Sequence, residues 1–346
     1  MLFMIIPLFT TAVFRESMKS SDFIHYFLFF CYGIITSLLS FDILTSIIYV
    51  VAFIVIMLPV TLISNVKDIN VSANTLSTYS LYFIIVVPFF SLLNLFIGKS
   101  YFFPFTINIS VLDTIWAGLF PIALHNNTLL KKIIILISSL ATAYFHDADA
   151  VYVLIIFYFL MVKLLNFNFF SRVLSFLVRD MFTKLMLVYV LAMIILNYYF
   201  PSDGILLEGL REDFRGDGIG YFKRLALIIQ GYYFASENFI FGVGFGVENY
   251  IKASSGLVHN TPQILFLTMN IYAGIIGMFL MFRLIDRSLR INETLIPVEG
   301  KRTICISIVM FFLMISLHEY LFNPIVMFAL IFITTFKASL ELNNDN

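Results

Sequence analysis

From Ile43 to Ser64 the chain reads ILTSIIYVVAFIVIMLPVTLIS without one charged residue, and continuous apolar runs of this kind recur along most of its length. The hydrocarbon core of a bilayer is about 30 Å thick and takes roughly 20 apolar residues per helix. Inside it no water serves the backbone, so only helices and closed barrels can cross. Barrel strands show short segments of alternating hydrophobicity, whereas these runs are continuous, which leaves helices. Composition agrees: 61% of residues are hydrophobic and 12% charged, and the mean hydropathy of +0.97 lies outside the range of soluble domains. The expected fold is all-α, a polytopic integral membrane protein.

Polar interruptions divide the apolar sequence into eleven expected transmembrane segments, near residues 2–14, 22–39, 42–64, 78–97, 104–124, 132–145, 149–163, 183–200, 262–283, 303–319 and 322–337. The first lacks a basic leader and a small-residue cleavage site, so it reads as a short span. With the N-terminus outside and the C-terminus inside, fifteen of the twenty-one Lys and Arg residues fall on one face, from Arg15 and Lys19 to Lys337. The positive-inside rule makes that face cytoplasmic. Three regions follow: N-terminal transmembrane helices over 1–200, one long extracytoplasmic loop over 201–261, and C-terminal helices with a cytoplasmic tail over 262–346. The net charge of zero gives no reason to expect nucleic acid as a partner. Cys31 and Cys305 lie in apolar runs and read as packing residues.

The loop carries the densest chemistry. At its end, His259 and Asn260 precede Thr261 and Pro262, which read as the N-cap and first residue of the next helix. A helix start offers free N–H groups and a partial positive charge to an anion. A histidine there can take a proton from a hydroxyl near neutral pH, and the carboxamide can orient a sugar. The competing reading is a histidine that reaches for lipid headgroups. Upstream, Arg211, Arg215, Lys223 and Arg224 are four cations within fourteen positions. Guanidinium groups grip phosphate through two parallel bonds, each charge-assisted bond contributing roughly 1.5–3 kcal/mol. Glu208, Glu212, Asp213 and Asp217 are interleaved with Arg211 and Arg215 and offer that pair surface salt bridges instead, whereas Arg224 has no acid nearby until Glu237.

Elsewhere, Asp113 sits inside an apolar run, where an ionised carboxylate costs about 2.5–3.5 kcal/mol, so it should face the protein interior. It reads either as a neutral, hydrogen-bonded structural group or as a ligand for a sugar hydroxyl. His146, Asp147 and Asp149 fall at one outer turn and His318 with Glu319 at another. None has the spacing of a metal motif, so the acids Asp147, Asp149 and Glu319 read as sugar-binding or rim residues.

The run YFKRLALIIQGYYFASENFIFGVGFGVENY followed by HNTPQILFLTMNIYAGIIG resembles the O-antigen polymerase and ligase superfamily. The features carrying the resemblance are Arg224, the turn Gly242, Gly244 and Gly246, then His259 with Asn260, then Gly274 with Gly277. They cover only about residues 220–277. Asn260 lies about one helical turn farther from Gly274 than in the family pattern, which keeps the register. The family's arginine-bearing motif in a mid-chain helix is absent, and YFHDADA occupies the corresponding edge.

The resemblance implies a Wzy-type glycosyltransferase in a bacterial cytoplasmic membrane. It would join undecaprenyl-diphosphate-linked oligosaccharides, as donor and acceptor, without metal or other cofactor. Membrane lipids, a flippase and a chain-length regulator are the further expected partners. Two alternatives stay open: ligation of glycan to a lipid A core, and transport of lipid-linked oligosaccharide. In the polymerase reading His259 is the base, assisted by Asn260, and Arg224 binds pyrophosphate with help from Arg215 and Arg211. His259→Ala is then expected to lower the polymerisation rate about 10²- to 10⁴-fold, measured as glycan formed per molecule of inserted protein. Arg224→Lys should also be poorly tolerated, because a point charge does not replace the guanidinium fork.

Overall fold

The computed structural model describes residues 20–40, 42–65, 71–97, 101–102, 107–146, 148–199, 220–245, 264–290, 298–318 and 324–342. Twelve helices make up nearly all of this: α1 Ser20–Leu38, α2 Ile43–Asn65, α3 Ala73–Ile97, α4 Ile109–Leu124, α5 Leu129–His146, α6 Asp149–Leu164, α7 Asn168–Val178, α8 Met181–Tyr199, α9 Gly220–Glu237, α10 Leu265–Leu289, α11 Val298–His318 and α12 Pro324–Leu342. A two-residue antiparallel ladder, β1 Tyr101–Phe102 with β2 Ile107–Asn108, precedes α4. The fold is therefore helical, as expected. Four helices, α2, α5, α8 and α10, are long and apolar enough to cross a membrane, with shorter apolar helices beside them. That is the build of a membrane protein.

Ten of the eleven expected segments coincide with helices, and 2–14 lies outside the described residues. Two differences stand out. Helix α7 was not among the expected segments, because it is too short to span and its apolar residues follow helical spacing rather than a continuous run. Helix α10 begins at Leu265, with Ile264 in extended conformation at the N-cap and no side-chain cap. Thr261 and Pro262, expected as cap and first residue, therefore precede the helix and lie outside the described residues.

Two helices form the centre. From Val111 to Leu124, α4 is buried on all sides. Its Trp116 indole donates to Ser139 Oγ at 3.0 Å, and a methyl group on its Gly118 would touch Ala329, Ile333 and Phe311. The second is α10, which is broken. Gly274 has φ 60° and ψ −174°, a conformation essentially reserved for glycine, and the helical ladder opens around it.

The segment after α9 fills that opening. Val243 N–H donates to Ile271 O at 2.8 Å and Gly244 N–H to Tyr272 O at 3.0 Å. In return Ile275 N–H donates to Phe239 O at 3.0 Å and Ile276 N–H to Ile240 O at 3.4 Å. The Tyr32 hydroxyl of α1 lies 2.6 Å from Ala273 O and 3.0 Å from Phe241 O. Thus the carbonyls freed at 271, 272 and 273 all have replacement donors, as apolar surroundings require. Gly242 and Gly244 have positive φ, which lets this turn reverse against α10. Phe245 then anchors it: the ring is fully buried, 6.2 Å from Tyr272 and 6.3 Å from Phe29, and its N–H donates to Ser46 Oγ at 2.9 Å.

A Cβ at Gly274 would run into the Ile240 carbonyl and the Gly242 amide, both backbone. Gly274→Ala is expected to destabilise the fold by roughly 2–6 kcal/mol from dihedral strain and overpacking together. Gly118→Ala meets only side chains, at 3.3–3.4 Å, and should be milder. Thermal unfolding of the two detergent-solubilised variants checks the ranking, and equal midpoints would contradict it.

Candidate functional site

The polar groups sort to two ends of the helical bundle. At one end Arg287 Nη2 lies 2.7 Å from Asp22 Oδ1, and Asn65 donates to the same carboxylate at 2.9 Å. Asp180 takes Arg283 at 3.1 Å and Arg290 at 3.4 Å. Asp286 caps α8, accepting from the amides of Phe182 and Thr183 at 3.0 and 2.8 Å and from the Thr183 hydroxyl at 2.6 Å. Lys337 is buried and donates to Ser288 O and Arg290 O. The turn after α4 belongs to this end: His125 Nδ1 is 3.2 Å from Thr303 Oγ1, its ring packs edge-on against Phe336, and burial holds its imidazole below the ordinary value of 6.5.

The opposite end carries the glycine turn and the break in α10. Asp42 sits there between α1 and α2, accepting from the Thr45 amide and hydroxyl at 3.0 and 2.7 Å. The hydroxyl bond, more than the amide one, holds its carboxyl below the usual carboxylate range. Helix α9 is tied to the end of α8, where Tyr232 and Ser236 donate to Asn197 Oδ1 at 2.6 and 2.9 Å. Arg224 belongs to the first half of α9, the helix that leads into the glycine turn. The Arg224 side chain lies outside the described residues, as do Arg211, Arg215, His259, Asn260, Asp147 and Glu319.

What the structure does bring together is Asp113 and His146. Asp113 sits just over one turn into α4 and His146 is the last residue of α5. His146 Nδ1 is 2.6 Å from Asp113 Oδ1, with side-chain exposures of 0% and 6%. Sequence reasoning placed Asp113 inside an apolar run, facing the protein interior, and His146 at an outer turn, and did not join them. A helical pattern shows that two helices follow one another, not which turn of one faces which turn of the next. Asp149, offered as a sugar ligand, stands in the first turn of α6 and is exposed. A carboxylate there also complements the helix dipole.

One polar group escaped the sequence reading altogether. Asn270 lies one turn before the break in α10 and is fully buried. Its amide donates to the Tyr189 hydroxyl at 3.0 Å, while Oδ1 has no partner among the described residues. An unpaired acceptor in an apolar interior is costly, by about 1–3 kcal/mol. An asparagine inside an apolar run is easily read past, but it is the one carboxamide in α10.

Comparison of the chain with protein-family models, with curated proteins and with solved structures gave no match.

Removing one partner of a buried acid–imidazole pair leaves the other unsatisfied, at a cost of about 3–5 kcal/mol. Asp113→Ala and His146→Ala are each expected to destabilise the protein on that scale. The double variant should lose less than their sum by about 0.5–3 kcal/mol, the signature of direct contact. Unfolding of the four purified proteins measures this coupling, and strict additivity would contradict the pairing.

Proposed function

We propose that this chain is a Wzy-type polymerase of the O-antigen polymerase and ligase superfamily, a membrane glycosyltransferase acting on undecaprenyl-diphosphate-linked oligosaccharides. The reading rests chiefly on one observation: the described elements among those that carry the sequence resemblance are physical neighbours. The helix bearing Arg224, the turn with Gly242 and Gly244, and the break at Gly274 form one packed unit. His259 and Asn260 fall in sequence between Phe245, at the end of that turn, and Ile264, at the start of α10.

In this proposal the cation-rich end is cytoplasmic, the chain has eleven spans with its N-terminus outside, and chemistry takes place at the outer end of a bacterial cytoplasmic membrane. The acceptor sugar's hydroxyl oxygen attacks the anomeric carbon of the donor glycan. His259 takes the hydroxyl proton, and Asn260 orients the acceptor. The bond from that carbon to the pyrophosphate oxygen breaks, and undecaprenyl diphosphate leaves with the electron pair. Arg224, assisted by Arg215 and Arg211, stabilises the charge that develops on it, which is where fixed donors contribute most to rate. In this reading Asp113, Asp147, Asp149 and Glu319 hold sugar hydroxyls. The reaction needs no metal or cofactor, and a flippase and a chain-length regulator are its natural partners.

Deletion of the gene in its native host tests this, with surface glycan separated on a gel and lipid-linked intermediates extracted in parallel. A surface bearing a single repeat unit and no ladder is the expected result. A bare lipid A core with polymer accumulating on undecaprenyl diphosphate would identify the ligase instead. An unchanged ladder would contradict both.

A further inference from the structure

Helix α7 has a construction that neither spanning nor core packing explains. Its Leu174 and Val178 are buried against the bundle. Phe169, Phe170, Val173, Phe176 and Leu177 are exposed, Phe169 by 70% and Phe176 by 67%. The polar residues Asn168, Ser171, Arg172 and Ser175 recur at i, i+3, i+4 and i+7 and so form one narrow stripe along it. At eleven residues the helix is about 16 Å long, half of what a crossing requires. Apolar around most of its circumference, with a single polar stripe, it suits the boundary between headgroups and acyl chains.

The charge around it has one sign. No acidic residue occurs from Ala150 to Arg179, while Lys163, Arg172 and Arg179 lie on or beside α7, the Arg179 side chain 62% exposed. Lys184 places its ammonium 3.8 Å from the centre of the exposed Phe176 ring and donates to the Phe176 carbonyl. Arg302 of α11 donates to Asn166 Oδ1 at 3.1 Å in the turn before the helix. The nearest acid, Asp180, takes Arg283 at 3.1 Å and Arg290 at 3.4 Å and lies 3.9 Å from Arg179 Nε, so one carboxylate is shared by three arginines and the exposed Arg179 holds only its longest contact. A cation such as Lys184, seated on an exposed aromatic ring, marks the level of the headgroups.

We infer that α7 is an interfacial helix that binds anionic phospholipid, its phenylalanines in the upper acyl region and Arg172, Arg179 and Lys184 on the phosphates. A second copy of the chain fits this face poorly, since it would set like charges against one another.

Two measurements on the full-length protein test the inference. In vesicles, Phe169→Trp fluorescence should be strongly quenched by phospholipid brominated near the headgroup. Trp116 is the single natural tryptophan and is fully buried, so the unsubstituted protein supplies the background. Unquenched, water-like emission would overturn the inference, and so would shielding that appears only as protein concentration rises, which would indicate a second copy. In detergent, titration with phosphatidylglycerol followed by native mass spectrometry should show about fivefold weaker binding for each of Arg172→Gln, Arg179→Gln and Lys184→Gln. Wild-type affinity in the triple variant, or equal binding of phosphatidylcholine, would overturn it as well.

Discussion

The rest of this structure depends on how the backbone is satisfied at the break in α10. A helix interrupted among apolar side chains frees amides and carbonyls that water does not reach, and each left alone costs about as much as a lost hydrogen bond. Here the turn between Phe239 and Phe245 exchanges four backbone bonds with the broken segment, and Tyr32 serves the remaining carbonyl. The solution works only because Gly242, Gly244 and Gly274 take positive φ and let two backbones approach as closely as strands. Three otherwise independent parts are thereby locked together: α1 through Tyr32, α9 through the turn that follows it, and α10 itself.

That lock divides the molecule chemically. At one end every described carboxylate that meets an arginine does so in a specific pair or network, with Asp22, Asp180 and their partners fastening α1, α8 and α10. Asp286 and Lys337 serve backbone groups and are structural in the same sense. At the other end, Asp113 and His146 are buried against each other in an apolar interior. Buried pairs of this kind are weak contributors to net stability, and ionisable groups within membrane helices are more often functional than structural. The contrast favours chemistry at the end that also carries the glycine turn and the start of α10.

Much of this was legible beforehand. Continuous apolar runs gave the helices, because length and charge alone decide whether a segment can cross hydrocarbon. The glycine turn and Gly274 were read as parts of one ordered pattern, and they prove to be in direct contact. Three features were not legible. Helix α7 is defined by periodicity over only three turns, the pairing of Asp113 with His146 depends on the rotation and offset of two adjacent helices, and the start of α10 at Leu265 has before it Ile264, which offers no side-chain cap. Each is decided by tertiary packing, which local patterns do not encode.

The central claim is that this chain forms glycosidic bonds at the expense of a polyprenyl diphosphate. Its most direct test is reconstitution of the purified protein in vesicles with lipid-linked repeat units extracted from a host lacking the gene, with no nucleotide added. The account predicts chains that lengthen with time and one undecaprenyl diphosphate released for every linkage formed. Lipid-linked units that cross to the opposite leaflet unchanged, with no diphosphate released, would contradict it and make the protein a transporter.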